Sequence, residues 1–221
     1  MTTMVEIWNS LLDWASTNAP HLLETLIFDV SDQQIDRSKD IVGYQDSQLW
    51  SLYQVTGGNR FVGLTFPIPG LQILPLPELV REVKNWRILS IEQDPDDVFG
   101  GQGGVEVMQR GLARAEYAHW DHVPFAADGT GNYLALDFAP GLLGTIGQVI
   151  NIGAGEDNRY VIAQDLVSLF EFIFKLLKDK SIAVNPDDKS GILYCFDPSR
   201  YLFLDALPIL RQLNLLADPD Q

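Results

Sequence analysis

The residues that could hold a metal ion lie in two short segments of the chain. His119 and His122 flank Asp121, and on a helix this spacing of three would place both imidazoles on one face as zinc ligands. Residues 128–132, Asp-Gly-Thr-Gly-Asn, bring oxygen-bearing side chains close together, but an EF-hand loop needs ligands at alternate positions and a final glutamate. Because the histidines lie where the chain enters a predicted strand and Asp-Gly is a strong turn signal, we predict no metal site.

Glycine-rich loops and paired carboxylates are the other candidates for chemistry. Residues 100–104 and 153–155 resemble phosphate-binding loops, but neither has the spacing of a dinucleotide-binding turn. No nucleophilic serine lies in a Gly-x-Ser-x-Gly turn, and Cys195 lies in an apolar run typical of a buried thiol. Adjacent carboxylates such as Asp96 and Asp97 catalyse only in a pocket that separates their pKa values. The sequence thus indicates no catalytic residue and no cofactor, and an enzyme would need a pocket lined by converging titratable groups.

The composition indicates which class of protein this is and which kinds of partner it can bind. The 221 residues are 46% hydrophobic and 20% charged, which is typical of a folded globular chain of one domain. The excess of acidic residues, 30 against 15 basic ones, gives a net charge of −15, which repels phosphate backbones and anionic membranes. We therefore predict no direct nucleic-acid partner and no membrane partner. The acidity serves either solubility or the attraction of a basic protein.

Three features predict a cytoplasmic protein. Residues Met1–Glu6 lack the basic region and the apolar core of a signal peptide. The most apolar helix candidate, Leu166–Leu177, contains polar residues and is too short to span a bilayer. The one cysteine allows no internal disulfide, as expected in a reducing compartment.

Hydrophobic spacing predicts helices near the N-terminus. Apolar residues recur at helical spacing in Val5–Ser16, and Pro20 then interrupts the pattern. Ser31 followed by Gln34 is typical of a helix start, and the next apolar face ends at Gly57-Gly58. We therefore predict two N-terminal helices.

Short apolar runs separated by glycine and proline turns predict strands in the middle of the chain. The strand candidates are Phe61–Leu64, Leu71–Leu76, Trp120–Ala126, Tyr133–Phe138 and Gln148–Ile152. Further helices are predicted from Pro77, over Asp165–Lys178 and from an N-cap at Asp205. Residues Ser90–Gly104 are predicted as an exposed loop. This order predicts an α+β fold, with a mostly antiparallel central sheet on which N-terminal and C-terminal helices pack.

The segment Trp120–Ile150 resembles the signature of the SUKH superfamily, in the branch named after the yeast Smi/Knr cell-wall synthesis regulator. The matching residues are Trp120, Pro124, Asp128-Gly129-Thr130-Gly131-Asn132, Leu136-Asp137, Pro140-Gly141 and Gly147-Gln148-Val149-Ile150. Weaker matches are Leu49–Gly58, Pro75–Glu78 and Asp165–Leu177. We therefore predict a single SUKH-like domain over residues 1–221, with a recognisable core over 31–178 and a C-terminal extension over 179–221.

The resemblance implies a non-enzymatic, protein-binding role on an α+β fold. Bacterial members of the family resemble immunity proteins that neutralise toxin domains, often nucleases, whereas fungal members resemble regulatory scaffolds. The acidic charge favours the immunity role, because a nuclease toxin has a basic groove that an acidic inhibitor can occupy. An intracellular regulatory scaffold without a toxin partner is the alternative.

The acidic side chains of predicted loops are the candidates for the partner-binding face. These residues are Asp97, Asp128, Asp137, Glu156 and Asp157. The sequence predicts neither the identity of the partner nor the oligomeric state.

Overall fold

The computed structural model describes residues 2–60, 64–92, 104–185, 191–196 and 199–216. The described residues form seven helices and nine strands. In chain order these are α1 (Met4–Asn18), α2 (Pro20–Leu23), α3 (Asp32–Val42), α4 (Ser47–Val55), β1 (Gln72–Ile73), α5 (Leu76–Glu92), β2 (Glu106–Val107), β3 (His122–Ala127), β4 (Asn132–Asp137), β5 (Gln148–Gly153), β6 (Asn158–Arg159), β7 (Val161–Ala163), α6 (Leu166–Lys178), β8 (Ile182–Val184), β9 (Leu193–Cys195) and α7 (Phe203–Gln212).

The N-terminal part contains four described helices, so the prediction of two is wrong. The predicted helix start at Ser31 is present, where the Ser31 hydroxyl accepts from the backbone N–H of Gln34 in a capping box. That helix, α3, ends at Gly43 in the left-handed conformation (φ 78°), and α4 begins separately after Asp46. The proline at position 20 begins the single turn α2, since proline is tolerated in the first turn of a helix. Local turn residues thus separate helices that the hydrophobic spacing had grouped together.

The central sheet has five strands in the order β1-β3-β4-β5-β7, and every pairing in it is antiparallel. The three strands predicted between Trp120 and Ile152 are present with bounds shifted by two residues or fewer. Two smaller two-stranded sheets pair β2 with β6 in parallel and β8 with β9 antiparallel. The α+β prediction is confirmed.

The strand register gives the sheet two distinct ends. At one end Asp137 of β4 lies between His122 of β3 and Gln148 of β5. At the other end the β3–β4 turn lies beside the turn that follows β5, because Asn132 pairs with Gly153. The register therefore determines at which end of the sheet each connecting turn lies.

Both faces of the sheet are covered. Alternate side chains of β4 point to opposite faces, so Leu134 and Leu136 join the main hydrophobic cluster whereas Ala135 joins a second one. In the main cluster the fully buried Trp8 makes edge contacts with Phe66 and with the Phe170 ring of α6. The second cluster contains, among others, Trp86, Leu112, Ala113, Ala118, Ile150 and Val161.

Arg159 holds the segment 104–121 on the second face of the sheet. Its side chain is almost fully buried, and its guanidinium donates to the carbonyl oxygens of Glu116 (2.7 Å) and Tyr117 (3.0 Å). Gln109 pairs with both backbone groups of Val161, at 2.7 and 3.0 Å, in the manner of a strand neighbour. Beyond the short pairing of β2 with β6 the segment has little regular structure, so these side chains add hydrogen bonds that fix it.

The predicted start of the last helix is wrong. The last helix does not start from an N-cap at Asp205; its N-cap is Leu202, and Pro208 lies inside it. The backbone N–H of Phe203 donates to the carbonyl of Pro69 (3.0 Å), and this tertiary contact starts the helix earlier than the local signal.

The predicted strand Phe61–Leu64 lies almost wholly outside the described residues. The same applies to Ser90–Gly104, of which the first three residues belong to α5.

Within the described ranges, no helix combines the length and the apolar character that crossing a membrane would require.

We predict that Arg159→Met destabilises the protein by about 2–4 kcal/mol, because buried carbonyl oxygens lose their charged donor. Urea unfolding followed by tryptophan fluorescence measures the change. Arg110→Met, in the same segment but exposed, is the matched control and should change stability by less than about 0.5 kcal/mol. Equal effects from the two variants would contradict the anchoring role.

Candidate protein-binding site

An open groove of about 590 Å³ lies between the β5–β6 turn and α7. Its lining residues are Gly155, Glu156, Asp157, Asn158, Tyr160, Tyr201, Leu204, Asp205 and Pro208. The lining combines three carboxylates with two tyrosines and two aliphatic side chains. It includes no lysine, arginine or histidine among the described residues.

The buried side chain of Asn151 positions the β5–β6 turn. It is fully buried on β5, and its amide nitrogen donates to the Glu156 carboxylate and to the carbonyl of Asn158 (2.8 Å). Its amide oxygen accepts from the backbone N–H of Tyr160 at 2.6 Å. One amide side chain therefore fixes the turn, the carboxylate of Glu156 and the start of β7.

The neighbouring β3–β4 turn supports the same end of the sheet. The Asp128 carboxylate accepts four hydrogen bonds, two from Thr130 and two from Asn132. Asn132 in turn accepts from the backbone N–H of Gly155 (2.9 Å), which ties this turn to the groove. Asp128 is thus committed to its own turn, and the prediction that residues 128–132 form a turn rather than a calcium loop agrees with this geometry.

Two carboxyl groups at this end have shifted pKa values. Burial raises the pKa of Glu156, the hydrogen bond from Asn151 opposes that rise, and the negative charges of Asp128 and Asp205 add to it. Burial also acts to raise the pKa of Asp128, but the hydrogen bonds from Thr130 and Asn132 outweigh it and lower the pKa. The groove therefore concentrates negative charge that a bound cation would relieve.

The structure gathers only part of the predicted acidic face. Asp128, Glu156 and Asp157 lie at the same end of the sheet, with Asp157 exposed. Asp137 lies at the opposite end and is fully buried, and Asp97 lies outside the described residues. The binding role of this set stays a prediction. Sequence reasoning missed Asp205 as a groove residue because its place beside Pro208 had been interpreted as a helix cap.

Asp137 belongs to a buried polar network. Its carboxylate accepts from the side chain of Gln148 (3.0 Å) and from the backbone N–H of Ala139 (2.9 Å), and it lies 3.7 Å from the ring of His122. Burial raises the pKa of Asp137, whereas hydrogen bonds from Gln148 and Ala139 oppose the rise. Burial and the nearby charge of Arg159 lower the pKa of His122 well below its usual value, so this imidazole is neutral.

The two histidines named as possible metal ligands adopt different environments. The rings of His119 and His122 lie 5.6 Å apart, but His122 faces the buried network while His119 lies near Glu116 and Asp121. Across the described part of the chain, no group of three or more histidine, cysteine, aspartate or glutamate side chains is placed to hold a metal ion. Cys195 is buried, as predicted, and burial raises the pKa of its thiol to about 12.

The fold and the groove define an α+β domain with an open, acidic groove that two tyrosines also line. The chain belongs to the SMI1/KNR4 family (SUKH-1), whose family model matches residues 31–171, more than half of the chain. The resemblance seen in Trp120–Ile150 is thereby confirmed.

Several fungal regulators are similar to the chain. A cell wall biosynthesis/cell cycle regulator of Schizosaccharomyces pombe is 26% identical, over 91% of this chain and 42% of the relative. A glucan synthesis regulatory protein of Neurospora crassa is 27% identical, over 87% of this chain and 42% of the relative. The cell wall assembly regulator SMI1 of Saccharomyces cerevisiae is 39% identical, over 72% of this chain and 37% of the relative. The chain spans about 40% of the length of these curated relatives.

These relatives overturn the prediction of a bacterial immunity protein that neutralises a toxin. These three fungal proteins are named as regulators of cell wall biosynthesis, glucan synthesis or cell wall assembly, which favours the regulatory scaffold given as the alternative. The error came from the charge, because an acidic surface fits any basic partner and does not distinguish a nuclease from another protein.

We predict that Glu156→Gln stabilises the protein at neutral pH. In the folded state the raised pKa means that ionisation of Glu156 opposes folding, so its favourable contribution is present below the ordinary glutamate pKa and is lost as the pH rises through the folded value. The neutral amide avoids this loss. Urea midpoints measured from acidic to neutral pH should show the advantage of the variant growing as the pH rises. A difference independent of pH would contradict the assignment.

Proposed function

We propose that this chain is a protein-binding regulatory domain of the Smi1/Knr4 type that acts as a scaffold in the control of cell wall synthesis. The observation that carries the proposal is the similarity to named cell wall and glucan regulators over 72–91% of this chain. The acidic groove supports it by offering a surface on which a partner protein can bind.

The chemistry of the groove favours a partner segment that carries lysine or arginine. The carboxylates of Glu156, Asp157 and Asp205 lie around one cavity whose described lining offers no cation. Tyr201, which is 36% exposed, adds an aromatic ring on which a cationic side chain can stack, whereas Tyr160 lines the groove but is largely buried. The net charge of −15 would speed the approach of such a partner by electrostatic steering.

A non-catalytic role fits the placement of the titratable groups. The pair His122 and Asp137, 3.7 Å apart, is buried, and Asp137 is hydrogen-bonded within the sheet. In the groove, the described lining residues pair no serine, cysteine, histidine or lysine with the carboxylates, so they supply no nucleophile and base in contact.

The proposal can be tested with a chimera. This chain would replace the similar segment of the Saccharomyces cerevisiae regulator, and cell wall glucan would be measured in a strain that lacks the native gene. We expect the chimera to restore wall glucan toward the level given by the intact regulator. A folded, expressed chimera that leaves glucan at the level of the deletion strain would contradict the proposal.

The groove itself is tested by charge reversal in the same chimera. Asp157→Lys combined with Asp205→Lys should abolish the restoration, because a basic partner segment would be repelled. The matched control combines Asp13→Lys with Asp29→Lys, which changes the net charge equally at exposed sites outside the groove. If both double variants behave alike, net charge rather than the groove is responsible.

A further inference from the structure

The imidazole of His122 is a buried titratable group that the proposed function does not use. It is 1% exposed and lies at the start of β3, where the segment 104–121 joins the central sheet. Its backbone N–H donates to the carbonyl of His119 (3.1 Å). Its Nδ1 atom is buried and has no hydrogen-bond partner among the described residues. A buried cation needs both a counter-charge and hydrogen-bond acceptors, so this position suits only the neutral imidazole.

The groups that face His122 carry mostly positive charge. Arg159 comes from β6, Arg114 and His119 come from the segment 104–121, and the charge of each opposes protonation of His122. Asp137 on β4 is the adjacent carboxylate, with one oxygen 3.7 Å from Nε2 of the imidazole. The charge of Asp137 also stabilises the guanidinium of Arg159. A protonated His122 would therefore compete with Arg159 for the same carboxylate.

The carboxylate of Asp137 is already engaged on both oxygens. One oxygen accepts from the N–H of Ala139 (2.9 Å) and the other from the side chain of Gln148 (3.0 Å). The separation of 3.7 Å from His122 is longer than a hydrogen bond. The folded arrangement thus offers a charged imidazole no acceptor at bonding distance.

The carboxylates of the neighbouring segment lie beside His119 instead. Glu116 and Asp121 lie 4.0 and 3.8 Å from its ring nitrogens, and Asp121 also accepts from the hydroxyl of Tyr44. The side chain of His119 is 23% exposed, so it can take up a proton from water where it lies. His122 differs, because water reaches it only when the structure around it opens.

The segment 104–121 is attached to the sheet by a small number of groups. Apart from the two-residue pairing of β2 with β6, the buried side chains of Arg159 and Gln109 hold it. The hydrophobic cluster on this face is also much smaller than the main cluster. Parts of a domain with few buried apolar contacts open at a lower free energy than the whole domain unfolds.

We propose that His122 makes the attachment of the segment 104–121 sensitive to acid. A fall in pH detaches this segment from the second face of the sheet, while the main hydrophobic cluster stays folded. The fold thereby contains a pH-dependent conformational switch that is separate from the acidic groove.

The direction of the effect follows from proton linkage. In the closed state, burial and the charge of Arg159 hold the pKa of His122 well below its usual value. In the open state the imidazole is in water and regains a pKa of about 6.5. The open state then binds one more proton as the pH falls below about 6.5, so the ratio of open to closed molecules rises about tenfold per pH unit.

Asp137 limits this effect at more acid pH. Burial raises its pKa, so protonation of Asp137 favours the closed state. The window of the switch therefore lies below about pH 6.5 and above the pH at which Asp137 takes up its proton.

Opening would break backbone hydrogen bonds that serve as reporters. The N–H of Met108 donates to the carbonyl of Arg159 (2.9 Å). The N–H of Gly141, in the loop between β4 and β5, donates to the carbonyl of Leu112 (3.0 Å). Both amides therefore lose protection against hydrogen exchange when the segment 104–121 leaves the sheet.

The switch is tested by hydrogen exchange of the whole chain, followed by NMR. Between about pH 6.5 and about pH 5.5, the protection factors of Met108 and Gly141 should fall about tenfold. Those of amides in α6, within the main cluster, should change less than about twofold. His122→Asn should remove this pH dependence, whereas the matched control His119→Asn should retain it.

Three results would overturn the proposal. The first is protection at Met108 and Gly141 that does not depend on pH or that falls equally in α6. The second is an imidazole of His122 whose NMR signal titrates near pH 6.5 with no loss of protection, because the closed state would then accept the proton. Both measurements use the natural chain and do not depend on the folding of a variant. The third is loss of the pH dependence in His119→Asn, which would assign it to His119.

Discussion

The buried charge of Arg159 is the constraint on which the second face of the sheet depends. Burial lowers its pKa only to about 10, so the guanidinium stays protonated and needs hydrogen-bond acceptors inside the protein. The carbonyls of Glu116 and Tyr117 accept from its two terminal nitrogens, whereas its buried Nε has no partner among the described residues; both carbonyls belong to a segment with little secondary structure. The buried arginine thus adds to the short ladder between β2 and β6, and the loop after β4 is hydrogen-bonded to the segment that both of them fix.

The register of the antiparallel strands places chemically different surfaces at the two ends of the sheet. Turns at the end where Asn132 pairs with Gly153 carry carboxylates and line the groove with α7. The end where Asp137 pairs with Gln148 carries the uncharged, apolar loop. The two ends of the sheet therefore differ in chemistry, one being acidic and the other uncharged and apolar.

Charge and fold carry different kinds of information about function. The charge of −15 indicated a basic partner but could not distinguish a toxin from a regulatory protein, since steering depends on the field and not on the identity of its source. The signature Trp120–Ile150 identified the family, and several of its residues, such as Asp128, Asp137 and Gly141, occupy positions that the structure constrains. Gly141 and Gly144 show this directly, since neither has room for a side chain.

The sequence alone determined the family, the α+β class and the strands β3, β4 and β5, because short apolar runs and the turn residues between them are local properties. It also placed the N-cap of α3 and the buried state of Cys195. Only the tertiary structure decided that Asp137 is buried while Asp205 joins Glu156 and Asp157, and that the last helix starts at Phe203. These outcomes depend on contacts between residues far apart in the chain, which local patterns do not encode.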